Sequence, residues 1–129
     1  MKYLLDTNAV IAILNNNIDF ITHLKRYSPT DFALPSIVMF ELYYGAEKSQ
    51  RKTENLAKLD KLPFTILPFE LDDAKQAGKI RAELTKQGTP IGTYDVQIAG
   101  QAINRNLILI THNTKEFARV NKLRFEDWQ

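Results

Sequence analysis

The chain has no cysteine among its 129 residues. That excludes a disulfide scaffold, a thiolate nucleophile and any metal centre built on sulfur. It also suits a reducing compartment. Histidine is scarce, with only His23 and His112. No apolar run approaches the length of a signal core or a bilayer span, so the expectation is a cytoplasmic protein with no membrane contact. No internal repeat, linker or low-complexity tract interrupts the chain, and the length fits a single unit over residues 1–129. Neither sign of charge dominates. Seventeen basic residues against 15 acidic ones leave a net charge of +2, which permits nucleic-acid binding without demanding it.

What is present is a core-forming pattern, with 44% apolar residues. Short apolar runs at 3–5, 32–35, 64–67 and 107–110 read as strands, with a last one near Arg124. Helical patterns fall between them, over 7–15, 18–27, 36–48, 52–62, 70–87 and from Thr93 or Asp95 to 104, with a short piece near Phe117. "NNN" at 15–17 breaks the first helix. Ser36 reads as an N-cap and Gly88 as a C-terminal cap. Strands alternating with helices predict an α/β fold with a mostly parallel central sheet of about five strands. Continuous apolar strands suit a sheet covered by helices on both faces.

Four places hold polar groups where the pattern is otherwise apolar. Asp6 ends the first strand, where open α/β sheets bind ligands; it also suits the N-cap of the next helix, helped by Thr7 and Asn8. Glu41 sits in "SIVMFELYYG", a helix apolar nearly all round. Gly45 lies one turn further on the same face and removes bulk at a cost of about 1 kcal/mol of helix propensity. Glu41 reads either as an inward acid or as one reaching solvent at the helix edge. Asp95 lies in the first turn of a helix, with Ile98, Ala99 and Ala102 on its face. It reads as an inward acid or as one favoured there by the helix dipole. The turn after "LILI" offers Thr111, Asn113 and Glu116 at another strand end, or an ordinary capped turn.

Taken jointly, inward acids from separate elements repel one another unless a cation lies between them. Oxygen-only donors favour Mg²⁺ or Mn²⁺ over zinc. Such a cation draws on substrate phosphate as a ligand, and the chemistry that follows is phosphodiester hydrolysis.

At these residues the sequence resembles the PIN-domain ribonucleases, specifically the VapC-type toxins of toxin–antitoxin pairs. "LLDTN" at 4–8, "FELYYGAEKS" at 40–49, "GTPIGTYDVQIAGQA" at 88–102 and "LILITHNTKEFARVNKLRFEDW" at 107–128 carry the resemblance, in order and over essentially the whole chain. The resemblance implies Asp6, Glu41 and Asp95 as catalytic, metal-binding acids. It implies a Mg²⁺- or Mn²⁺-dependent endoribonuclease, a homodimer, and a VapB-type antitoxin whose tail occupies the acidic groove. Some relatives cut tRNA and others ribosomal RNA. Thr7, Asn8 and Thr111 match positions that orient ligands or water. Many PIN domains carry an acid where this chain has Asn113. Either Glu116 restores that charge, or three acids suffice with Asn113 holding one of the cation's waters; the second is the favoured expectation. Because of Asn113, a catalytically weak or inactive PIN-like module that binds nucleic acid or protein stays open as the alternative.

Other readings fit less well. A phosphoaspartyl phosphatase needs an acid where Asn8 stands. A receiver-like domain needs an Asp after the third strand, where "FTILPFE" has none. A two-histidine ribonuclease leaves the acids unexplained. His23 and His112 are expected at the surface. Lys48, Arg51, Lys52, Arg81, Lys86, Arg105 and Arg119 form no single run and are expected mostly on solvated faces. Tyr43, Tyr44 and Tyr94 read as base-stacking or as packing residues, and Asp72 and Asp73 as helix-capping acids.

Overall fold

The computed structural model describes all 129 residues. Its five strands are β1 (Tyr3–Leu5), β2 (Phe32–Pro35), β3 (Thr65–Leu67), β4 (Ile108–Ile110) and β5 (Phe125–Glu126). They form one sheet in the order β3-β2-β1-β4-β5, and every pairing is parallel. Seven α-helices connect them: α1 (Thr7–Leu14), α2 (Ile18–Leu24), α3 (Ser36–Glu47), α4 (Lys52–Asp60), α5 (Leu71–Gln87), α6 (Thr93–Asn104) and α7 (Thr114–Phe117). None is long and apolar enough to cross a membrane.

All residues of β1 and β2 are buried. Successive side chains of a strand point to opposite faces, so both faces of the sheet centre are covered. The edge strands differ as they should. Thr65 and Ile66 of β3 are exposed, and both residues of β5 are half-buried. Twenty-nine buried apolar residues form one cluster around the sheet.

Local chemistry explains the boundaries. Asp6 caps α1 by accepting a hydrogen bond from the Thr7 amide at 2.8 Å. Asn16 takes a left-handed conformation, φ 54°, which Asn tolerates better than most residues. Asn17 then caps α2 through the Phe20 amide, so the "NNN" break is a stop followed by a start. Gly88 ends α5 at φ 71°. Thr93 begins α6, with Gly92 as its cap.

Four expectations are corrected. Ser36 is the first helical residue rather than a cap; Pro35 holds the capping position, its lack of an N–H costing nothing there. α2 ends at Leu24 and the chain leaves through a turn at Lys25 rather than running on to Tyr27. His23 is not a free surface residue: its ring stacks on Trp128, centroids 4.0 Å apart and nearly coplanar at 7°. Arg105 is not on a solvated face. It donates to both carboxylate oxygens of fully buried Asp73, at 3.1 and 3.0 Å. Asp73 does cap α5, accepting from the Glu70 amide, and Asn104 donates to it as well. Burial would raise the Asp73 carboxyl, but Arg105, the Glu70 amide and Asn104 together hold it below the usual carboxylate range.

Packing between α5 and α6 is tight at one point. A Cβ on Gly100 would lie 2.7 Å from the Ala77 amide nitrogen and Cβ. Gly100 lies to one side of the face read from Ala99 and Ala102, and its close approach to α5 sets how α6 lies.

Candidate active site

The strand order reverses between β1 and β4, which both pair in the sheet centre. Chains leaving these two strands turn apart and open a crevice at their carboxyl ends. Asp6 follows β1 and Thr111 follows β4, so both stand at this crevice.

Asp6 is only 4% exposed. Its carboxylate is fixed by the Thr7 amide, by the Asn8 side-chain amide at 3.3 Å and by the Thr111 hydroxyl at 2.8 Å. Burial pushes its carboxyl up, and these three donors oppose that push. Asn8 and Thr111 thus orient Asp6 directly. Each has a second bond that fixes it in turn. The Asn8 carbonyl accepts from the His112 amide at 2.9 Å, and the Thr111 hydroxyl accepts from the Asn113 amide at 3.0 Å.

The other two acids come from helices. Glu41, on α3, is half-buried; burial and the Asp6 charge raise its carboxyl, while the nearby Thr7 hydroxyl favours the ionised form. That hydroxyl is itself buried and makes no well-formed hydrogen bond. Asp95, in the first turn of α6, is half-buried and pushed up to about 6, first by burial and then by the charges of Asp6, Glu116 and Glu41. Glu41 and Asp95 line one open cleft of about 530 Å³ with Gly92, Thr93 and Tyr94. On its other side Glu41, with Thr7 and Gly45, borders a mainly apolar groove of about 250 Å³ between α1, α3 and α4.

Asp6, Glu41, Asp95 and Glu116 therefore share one electrostatic neighbourhood. Both candidates for the fourth group lie near Asp95. The charge of Glu116 is among those that raise the Asp95 carboxyl, and Asn113 donates its side-chain amide to Glu116 at 3.3 Å. Asn113 is thereby tied to Glu116. His112 lies beside the site, exposed, with Nδ1 2.9 Å from Asp127. Phe40 was not singled out from the sequence, although it immediately precedes Glu41. It is 57% exposed and packs edge-on against Tyr94.

No three acidic or histidine side chains converge closely enough to grip one ion between them. The donor set fits a different arrangement. It is oxygen-only, it is mutually repelling, and it includes the unpartnered Thr7 hydroxyl. Those features suit a hard cation that keeps several waters and takes one or two carboxylates directly.

Residues 3–123 match the PIN domain family model. This chain belongs to the PIN-domain family. Within that family it groups with the VapC ribonucleases. It is 40% identical to the tRNA(fMet)-specific endonuclease VapC of Shigella flexneri, over 99% of this chain and 98% of that protein. It is equally close, with the same coverage, to ribonuclease VapC2 of Haemophilus influenzae. Among solved structures, DNA-bound VapBC from Salmonella typhimurium matches with a TM-score of 0.94 and 37% identity, covering 100% of this chain and 99% of that one. VapBC2 from Rickettsia felis, bound to a promoter DNA fragment, matches with a TM-score of 0.93 and 36% identity over the full length of both chains. The five-stranded parallel α/β sheet of this VapC-type chain is the fold expected from its sequence.

Proposed function

We propose that this VapC-type chain is the endoribonuclease toxin of a toxin–antitoxin pair, with tRNA as its substrate class and Mg²⁺ or Mn²⁺ as its cofactor. The observation that carries the reading is the buried Asp6 carboxylate at the sheet's switch point, tied to Thr111 and coupled in charge to the acids on α3 and α6. The tRNA class rests on the Shigella flexneri relative, a tRNA(fMet)-specific endonuclease. An antitoxin partner rests on the VapBC complexes of the neighbouring structures. A homodimer formed by residues 1–129 as one unit completes the reading.

Each residue has a distinct task. Asp6 is the anchor, since three donors fix its orientation before any ligand arrives. Glu41 and Asp95 face it from the cleft and complete the negative field. Glu116, held by Asn113, adds charge on the side of Asp95. The Thr7 hydroxyl, beside Glu41 but without a well-formed hydrogen bond, can turn to a ligand or its water. Asp6, Glu41 and Asp95 would hold a divalent cation, which would supply activation of water and stabilisation of charge on the phosphodiester oxygens. Without it, Asp95 retains a proton to about pH 6, so loading the site displaces protons and is favoured as pH rises. An Arg or Lys of the antitoxin placed among the acids would replace the cation's charge and keep RNA out.

The test is cleavage of total RNA by purified protein with Mg²⁺, with Mn²⁺ and with excess EDTA, the cuts mapped to the nucleotide. Metal-dependent cuts concentrated in tRNA are expected. Full activity in EDTA would refute the metal site, and cuts confined to ribosomal RNA would refute the substrate class.

A further inference from the structure

Two exposed aromatic rings stand at the lip of the acidic cleft. Phe40 is 57% exposed and Tyr94 47% exposed. Their centroids are 5.9 Å apart at an interplanar angle of 68°. Each immediately precedes an acid of the site, Glu41 on α3 and Asp95 on α6. Rings of this size in water, set together across two helices, leave unsatisfied apolar surface where a substrate must lie. Tyr94 also lines the 530 Å³ cleft with Glu41 and Asp95.

The same face of α3 continues the pattern. Tyr44 follows Phe40 by four residues and is 61% exposed. Lys48 follows by four more, with its ammonium 4.6 Å from the Tyr44 ring centroid. Positions four apart lie on one helix face. Aromatic rings leading to a cation, beginning beside acids, match what a single RNA strand offers: flat bases and spaced phosphates.

We propose that Phe40 and Tyr94 form the stacking platform for one unpaired nucleobase flanking the scissile phosphate, with Lys48 beyond them meeting the strand's backbone. This rests on the ribonuclease reading of the acidic cleft. It makes Phe40 and Tyr94 determinants of where RNA is cut, because a base must be unstacked from its neighbours to reach them. A second copy of the chain seated on the same rings would cover the cleft that they border, so RNA is the occupant that leaves the acids in use.

The experiment uses the purified full chain with Mg²⁺ and an RNA hairpin carrying the mapped cut site in its loop. The fluorescent base 2-aminopurine replaces each nucleotide flanking the cut in turn. In the unsubstituted protein, binding quenches the probe at one flanking position. Phe40→Ala and Tyr94→Ala each abolish that quench and raise KM about tenfold, with kcat changed by about twofold or less. Ile18→Ala, which removes a still more exposed apolar side chain on α2, leaves KM and quench unchanged. Retained quench with unchanged KM in both ring variants overturns the platform while the ribonuclease reading stands. A fall in solution mass by light scattering in the same variants also overturns it, assigning the rings to contact between copies. Absence of any cleavage by the unsubstituted protein overturns the ribonuclease reading, and the platform with it.

Discussion

The Thr111 hydroxyl donates to Oδ2 of Asp6 at 2.8 Å, although 105 residues separate the two in sequence. They meet because β1 and β4 lie side by side in register, Leu5 opposite Ile110. Each residue is the first beyond its strand, so the parallel pairing alone brings them together. This bond opposes the effect of burial on Asp6 and keeps its carboxylate aimed into the crevice.

Replacing Thr111 by Val keeps the shape and removes the donor. The Asp6 carboxylate then keeps two donors in a buried place. Stability at pH 7 should fall by about 1–3 kcal/mol, and the cation concentration for half-maximal cleavage should rise about tenfold or more. Urea unfolding and a Mg²⁺ titration of cleavage check both. An unchanged titration would remove Thr111 from the site.

Asp95 supplies a pH dependence with a definite sign. Its folded pKa, about 6, lies above the ordinary carboxylate value. The metal-free folded state therefore holds a proton that the unfolded state has already lost. Stability of the metal-free protein should fall as pH rises from about 4 to 6, by about 1 kcal/mol once solvent screening of this half-buried group is allowed for. Asp95→Asn should flatten that slope and abolish cleavage. Asp6→Asn and Glu41→Gln should likewise lose cleavage yet be as stable as the parent chain without metal, since each relieves repulsion. Thermal melts across pH, in EDTA, test the slope.

Glu116 and Asn113 can be ranked. The charge of Glu116 bears on Asp95 and the amide of Asn113 holds it. Glu116→Gln should lower the cleavage rate by about tenfold or more, and Asn113→Ala by less, since it loosens the acid without removing it. Asn113→Asp should weaken metal-free stability by setting a like charge beside Glu116. Single-turnover rates of the three variants decide the order. Near-normal cleavage by Glu116→Gln with a dead Asn113→Ala would reverse it.

Two glycines should respond oppositely to alanine. A methyl on Gly100 meets the Ala77 backbone at 2.7 Å and must push α6 off α5, so Gly100→Ala should cost about 1–3 kcal/mol. It should also impair cleavage, because α6 carries Asp95. Gly45 has nothing within 4 Å of an added Cβ, so Gly45→Ala should stabilise by up to about 1 kcal/mol. Denaturant midpoints of the pair give the comparison. The space that Gly45 leaves beside Glu41 is an open groove wall.

Much of this protein follows from its sequence. Period, caps and breakers are local, so the helices and the buried strands could be read to within a few residues, as could the strand ends that carry Asp6 and Thr111. The inward bias of Glu41 and Asp95 followed from apolar neighbours at helical spacing. Other features depended on distant residues and could not be read locally. Arg105 looks like a solvated base until α5 brings Asp73 under it. His23 looks like a surface residue until the C-terminus returns Trp128 to its ring. Gly100 is a close-packed glycine because α5 approaches it, which no local pattern shows. The bond between Asn113 and Glu116 and the pairing of Phe40 with Tyr94 likewise appear only in the folded chain. Residue type and period determined which groups were available; the order of the parallel strands and the packing of helices on them determined which groups touch.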